Sequence, residues 1–324
     1  MMRPFGVFSV LLLCLSSLSA QQRGQWTPGQ YGLNAGVVPE PGFTYMNLAM
    51  NYSAGQFNDA QGNRVPILTG TYSFWLDENI LMYVPNKKIL GGYYAPYINL
   101  NVANGSLVAD IQGTNLSTNG GGAGFADTFV VPVNFAWHFS RADFNAGYGF
   151  FAPTGRYTAG ASDNVGSGYW GNTILSGTTF YITKDKGTSA NLFVDWEDHG
   201  KKTTAAGTKA TPGQTFTAEW GIGQVLPLDK KTMDKLLQLG FVGYDQWQVS
   251  ANGGTIGPIP ASSLPYYSAH AIGFQTNFIV PSKGLNLFFK YYDEISAKAR
   301  IQGRTIVFGG SWTLRIPKPQ AANP

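Results

Sequence analysis

Thr305-Ile306-Val307-Phe308-Gly309-Gly310-Ser311-Trp312-Thr313-Leu314-Arg315 is the stretch that decides the fold class. Ile306, Phe308, Gly310, Trp312 and Leu314 fall on one side. Thr305, Gly309, Ser311, Thr313 and Arg315 fall on the other, with Val307 the single apolar intruder. A period of two means an extended strand, because successive side chains point to opposite faces.

The same alternation recurs upstream. Leu285, Leu287, Phe289 and Tyr291 oppose Asn286, Lys290, Tyr292 and Glu294. Phe216, Ala218, Trp220 and Ile222 oppose Thr215, Thr217, Glu219 and Gly221. Ala190, Leu192, Val194 and Trp196 oppose Asn191, Phe193, Asp195 and Glu197, and Phe144, Ala146, Tyr148 and Phe150 oppose Asn145, Gly147 and Gly149.

The connections alternate too. Long segments at 54–64, 103–124, 154–168, 199–213, 251–266 and 294–302 are interleaved with short ones at 85–88, 140–143, 184–187 and 281–284. A moderate polar connection at 227–235 completes the series. Outer-membrane barrels have short periplasmic turns and longer outer loops. The expected fold is therefore all-β: one antiparallel transmembrane barrel of about twelve strands. Val65–Val84 is too long for one span of about ten residues, so either a strand that continues above the membrane or a break near Asp77–Asn79 is expected. Met233, Leu236 and Leu237 have helical spacing, so 230–239 admits a short helix.

Composition points the same way. Charged residues make up 12% of the chain, against aromatics at 14% and 41 glycines. Soluble domains carry about 25% charge. A barrel reaches a low value naturally, because one strand face meets hydrocarbon and the other an enclosed lumen. The formal charge of +4 is too small to argue for a nucleic-acid partner. Trp170, Tyr181, Trp196, Trp220, Tyr244, Trp247, Tyr266, Tyr267 and Trp312 sit toward segment ends, as membrane-interface girdles require.

The N-terminus reads as an export signal. Arg3 precedes an apolar run from Phe5 to Leu15, then Ser16, Ser17, Ser19 and Ala20. Cleavage after Ala20 is expected. Cys14, the only cysteine, lies in this segment after Leu13, which argues against a lipid anchor. The domain reading is 1–20 signal peptide, 21–41 periplasmic or plug segment, 42–316 barrel, 317–324 tail.

The chain also resembles a known family. Pro41-Gly42-Phe43-Thr44-Tyr45 opens the first strand, and Gly124-Phe125-Ala126-Asp127 leads to Val131-Pro132. Phe151-Ala152-Pro153-Thr154-Gly155-Arg156-Tyr157 is the most distinctive landmark, followed by Asn164, Gly168 and Trp170. Thr179-Phe180-Tyr181 and Gly243-Tyr244-Asp245-Gln246-Trp247-Gln248 come later. Together, over residues 31–315, these resemble the phenol MetA-pathway family of outer-membrane barrels linked to meta-cleavage. The resemblance implies uptake of hydrophobic or aromatic compounds and no catalytic residues. The chain departs from many barrels in ending on three prolines rather than a terminal Phe.

Alternation assigns Asn191, Asp195, Glu197, Glu219, Lys290, Glu294 and Arg315 to the lumen, since charges on the lipid face would cost about 2–4 kcal/mol at mid-depth. They either line a pore or pair across it. The expected function is a passive outer-membrane channel for small solutes, aromatic and hydrophobic ones among them. It needs no cofactor, no metal and no enzyme chemistry. Its expected partners are membrane lipid, lipopolysaccharide and the solute.

Two other classes compete with this reading. His138 and Ser140 form an H-x-S pair like that of an outer-membrane phospholipase, but Arg141 and Ala142 follow where that family has Asn-Gly. A closed structural or adhesive barrel is the third reading. His199 and His270 lack neighbours at ligand spacing. Gly120–Gly124 lacks the ending of a phosphate loop and reads as a flexible outer loop. Lys201, Lys202 and Lys209 form a candidate lipopolysaccharide patch.

Overall fold

The computed structural model describes residues 24–315. The export signal and the 317–324 tail lie outside the described residues. Among these residues twelve antiparallel strands close into one barrel. In chain order they are β1 (Gly42–Phe57), β2 (Leu68–Val84), β3 (Tyr97–Ile111), β4 (Thr128–His138), β5 (Ala142–Ala152) and β6 (Gly171–Tyr181). Then come β7 (Thr188–His199), β8 (Thr215–Pro227), β9 (Leu236–Gln248), β10 (Ser268–Val280), β11 (Leu285–Lys298) and β12 (Ile301–Arg315). Each pairs with its sequence neighbour, and β12 pairs with β1 from Phe43↔Leu314 to Phe57↔Ile301. Closure removes the unpaired edges that hydrocarbon cannot satisfy.

The two faces separate as the period of two requires. Ile174, Leu192, Ile222, Phe241, Ile272, Phe274, Phe289 and Phe308 are exposed outward. Val307, the intruder in the last strand, is fully buried on the lumen side, packed with Met50, Tyr244 and Tyr292. An apolar residue there serves the interior cluster, so the alternation was never broken.

Several expectations are corrected. β2 runs unbroken through Asp77–Asn79, because its registers with β1 and β3 continue across that stretch. The stretch 230–239 holds no helix; Leu236 to Leu239 pair with β8 and β10, and backbone pairing outweighs the helical spacing. The glycine tract is not an irregular loop but part of a strand, Ser117–Phe125, that extends β3 as a hairpin above the barrel. Ladder bonds need only backbone, which glycine supplies. The last long loop is in fact a two-residue connection, with Ala299 at φ 50° between β11 and β12. Tyr244 and Tyr267 are buried inside rather than placed in a girdle.

One seam in the wall is short. β1 and β2 share thirteen register pairs, but β3 and β4 share only Tyr97↔Val131, Ile98↔Val130 and Asn99↔Phe129. Above that point β3 pairs with its own hairpin, and below it Gly92–Tyr94 takes over. Pro96 and Pro132 flank the contact. Proline has no N–H for a ladder, and β4 shifts register against β5 between Val130 and Val133.

Candidate functional site

Residues 24–41 do not hang below the barrel. They enter the lumen, hydrogen-bonded mainly to the wall from β5 to β11, with Trp26 against Phe129 and Val38 against Val84 and Ala136. The wall holds this plug by its backbone. Glu197 Oε1 accepts from the N–H groups of Gln25 (2.8 Å) and Trp26 (2.9 Å). Glu219 accepts from Trp26 Nε1 (2.9 Å) and from the Tyr31 N–H (2.7 Å). Gln275 Oε1 takes the Leu33 N–H at 3.0 Å, and Asn191 Oδ1 takes the Asn34 N–H at 2.9 Å. Lys290 Nζ, in turn, donates to the carbonyls of Gly29 (3.3 Å), Gln30 and Tyr31 (2.8 Å). A chain without regular structure buries its peptide groups only if side chains satisfy them, and here the wall supplies those side chains.

Two features let the plug sit so close. Gly32 has φ 139°, and a Cβ there would lie 2.6 Å from Gln275 Oε1. On the wall, a Cβ at Gly177 would lie 1.9 Å from the Ala35 carbonyl oxygen. Any side chain at either position would push the plug off its seat.

The residues assigned to the lumen from sequence are therefore brought together by the plug. Asn191, Glu197, Glu219 and Lys290 bind it directly. Asp195 is buried beside them and accepts from Thr173 Oγ1. Glu294 lies apart, nearer the long-loop end, paired with Arg300 at 3.1 Å and bonded to Tyr52 and Tyr244. Arg315 ends β12 opposite Gly42, and its side chain lies outside the described residues.

Sequence reasoning missed Glu78, Gln238 and Gln275. Glu78 was obscured by the apparent break in β2. Alternation through Leu76, Glu78 and Ile80 would have placed it inward.

The plug fills only part of the lumen. Beside it lie a cavity of about 350 Å³ toward the short turns, bounded by β1 to β4 and β10 to β12, and one of about 140 Å³ toward the long loops. Trp26, Gln30, Asn99 and Phe129 line both and stand at the neck level between them. Aromatic rings cross the lumen at this level. Tyr31 stacks on Phe193 at 3.9 Å between centroids, Phe193 on Trp26 at 5.1 Å, Trp26 meets Phe129 edge-on at 5.9 Å, and Phe129 stacks on Phe151 at 4.3 Å. Such pairs contribute about 0.5–1.5 kcal/mol each beyond burial. Beside the rings, Asn99 Nδ2 donates to Glu78 at 3.1 Å and Asn101 Nδ2 donates to the Asp127 carbonyl at 2.9 Å. The Oδ1 atoms of both asparagines are buried without a hydrogen-bond partner in the structure.

The other sites considered do not assemble. His138 Nδ1 bonds Asp143 Oδ1 at 2.8 Å, and Asp143 also accepts from the Tyr181 hydroxyl. His138 thus spends its bond on a carboxylate rather than on Ser140, which sits exposed in the following turn. His199 bonds the Gly213 carbonyl and faces Glu197, and His270 bonds Asp245. No group of three ligand-type side chains forms a metal site among the described residues. The lysine patch is not a patch. Lys202 is buried over the Tyr169 ring, which pushes its ammonium down to about 8, and Lys209 donates to Thr203.

Residues 54–308 match the family model described as "Putative MetA-pathway of phenol degradation". In fold, the chain is similar to an outer-membrane channel from Pseudomonas putida F1, at TM-score 0.68 and 13% identity, covering 90% of this chain and 100% of that one. It is also similar to the β domain of the Bordetella autotransporter BrkA, at TM-score 0.50 and 12% identity, covering 85% of this chain and 100% of that one. No curated protein sequence matches it.

Proposed function

Because the chain belongs to the family of the MetA pathway of phenol degradation, we propose that it is an exported outer-membrane channel that passes small aromatic solutes passively through its half-plugged lumen. The observation that carries this reading is the neck. Two cavities share a lining where aromatic faces stand beside unpaired carbonyl acceptors. An aromatic ring is bound by the former, and a hydroxyl or amine hydrogen by the latter. The channel from Pseudomonas putida F1 supports the reading at the level of fold.

The test is transport of phenol and toluene into proteoliposomes. Phenol is expected to permeate faster. Asn99→Leu together with Asn101→Leu removes the acceptors and is expected to cut phenol flux by about fivefold, near one hydrogen bond's worth, with toluene little changed. Equal loss for both solutes would remove the acceptors from the account.

The short β3–β4 seam favours a second exit, sideways into the bilayer. Ile98 and Val130 are register partners there, at a spacing that a disulfide spans. Ile98→Cys with Val130→Cys, once oxidised, is expected to slow toluene passage and leave ionic conductance intact. Unchanged toluene passage in the oxidised form would rule out the side exit.

A further inference from the structure

On β1 and β2 the outward face of the barrel carries a block of polar side chains in the middle of the strands. On β2, Trp75 and Tyr83 are exposed outward, and the outward residues between them are Asp77, Asn79 and Leu81. On β1, Asn47 stands opposite Asn79, Ala49 opposite Asp77 and Asn51 opposite Trp75. Two aromatic rings facing the membrane thus bracket a carboxylate and three amides. Leu100 and Val102 on β3, and Ile306 and Phe308 on β12, restore the apolar surface on either side.

This block is tied together but not completed. Asn47 Nδ2 donates to Asp77 Oδ1 at 2.6 Å, Asn79 Nδ2 donates to Asp77 Oδ2 at 3.2 Å, and the Tyr45 hydroxyl donates to Asn79 Oδ1 at 2.7 Å. Asn51 makes no side-chain hydrogen bond among the described residues. Acceptor capacity is left on Asp77 and Asn47, and a full amide on Asn51. Hydrocarbon offers nothing to these groups, and polar side chains at membrane depth face protein or water.

We propose that this face is the contact between two copies of the chain in the outer membrane. The block carries donors and acceptors together, so it complements itself across a twofold axis, as an isologous interface requires. Amide meets amide, and the amide of Asn51 can reach the Asp77 carboxylate of the other copy. Ala49 beside Asp77 is small enough to let two walls approach. The apolar flanks seal the contact from lipid. A different protein would have to supply this same mixed pattern, whereas a second copy has it by construction. The lumen faces away from the contact, so each copy keeps its own route.

Cross-linking in intact outer membranes tests this. Ala49→Cys, treated with a short thiol–thiol cross-linker, is expected to give a band at twice the chain mass. Phe241→Cys, on the opposite wall and 74% exposed, is expected to give none. Adding Asn47→Leu, Asp77→Leu and Asn79→Leu is expected to lower the Ala49→Cys dimer by about tenfold. Heat-modifiable migration on gels verifies that this variant still forms a barrel. A folded protein with no dimer band, equal bands from both cysteine positions, or adducts only to chains of other mass would overturn the proposal.

Discussion

A chain lacking residues 24–41 is expected to conduct ions at least about tenfold better than the form that keeps them, because a twelve-stranded wall without its insert encloses an open aqueous lumen. The two forms should be equally folded, since the plug contributes to no wall strand. The deletion leaves Glu197, Glu219 and Lys290 facing water, where their charges are solvated rather than stranded. Selectivity for aromatic solutes should fall at the same time, because Trp26 and Tyr31 supply two of the five rings in the stack. Single-channel recording on both forms reads the first effect, and phenol-to-toluene flux ratios read the second.

The second large effect is at Lys290. It is buried, holds three successive plug carbonyls, and has Glu219 and Glu78 as its neighbouring opposite charges. Lys290→Met leaves those plug carbonyls without their donor and removes the cation facing the two carboxylates, at a cost of about 1–3 kcal/mol for each buried group left unpaired. The plug is expected to leave its seat, with frequent large openings in recordings and a lower unfolding temperature. Glu219→Gln combined with Lys290→Met removes a charge from each side. The pair should recover about half of the lost stability, which is the coupling a double-mutant cycle measures. If the two changes were simply additive, the charges would not be acting on one another.

The barrel was legible in the sequence because lipid and lumen impose opposite demands on alternate residues. Thr305 to Arg315 carries that imprint in full, and Val307 departs from it only because the lumen holds an apolar cluster at that point. Lengths were less legible than faces. A break near Asp77–Asn79 was one of two possibilities that the length of Val65–Val84 left open; the strand instead runs unbroken from Leu68 to Val84.

That the polar side chains from Asn191 to Lys290 point away from lipid was also legible. Their role was not. No local pattern says that Glu197 and Glu219 accept peptide N–H groups from a segment nearly two hundred residues earlier, since residues 24–41 have no period of their own. Gly32 and Gly177 were similarly silent, because a close backbone approach leaves only a glycine among 41.

Reaction of a cysteine at Gln30 tests the route itself. Gln30 lines both cavities at the neck. In a bilayer, Gln30→Cys should react with a small charged thiol reagent added to either side, and phenol should slow the reaction from both. A cysteine there that stays unmodified from one side, or that phenol leaves fully reactive, would contradict a solute path running past the plug.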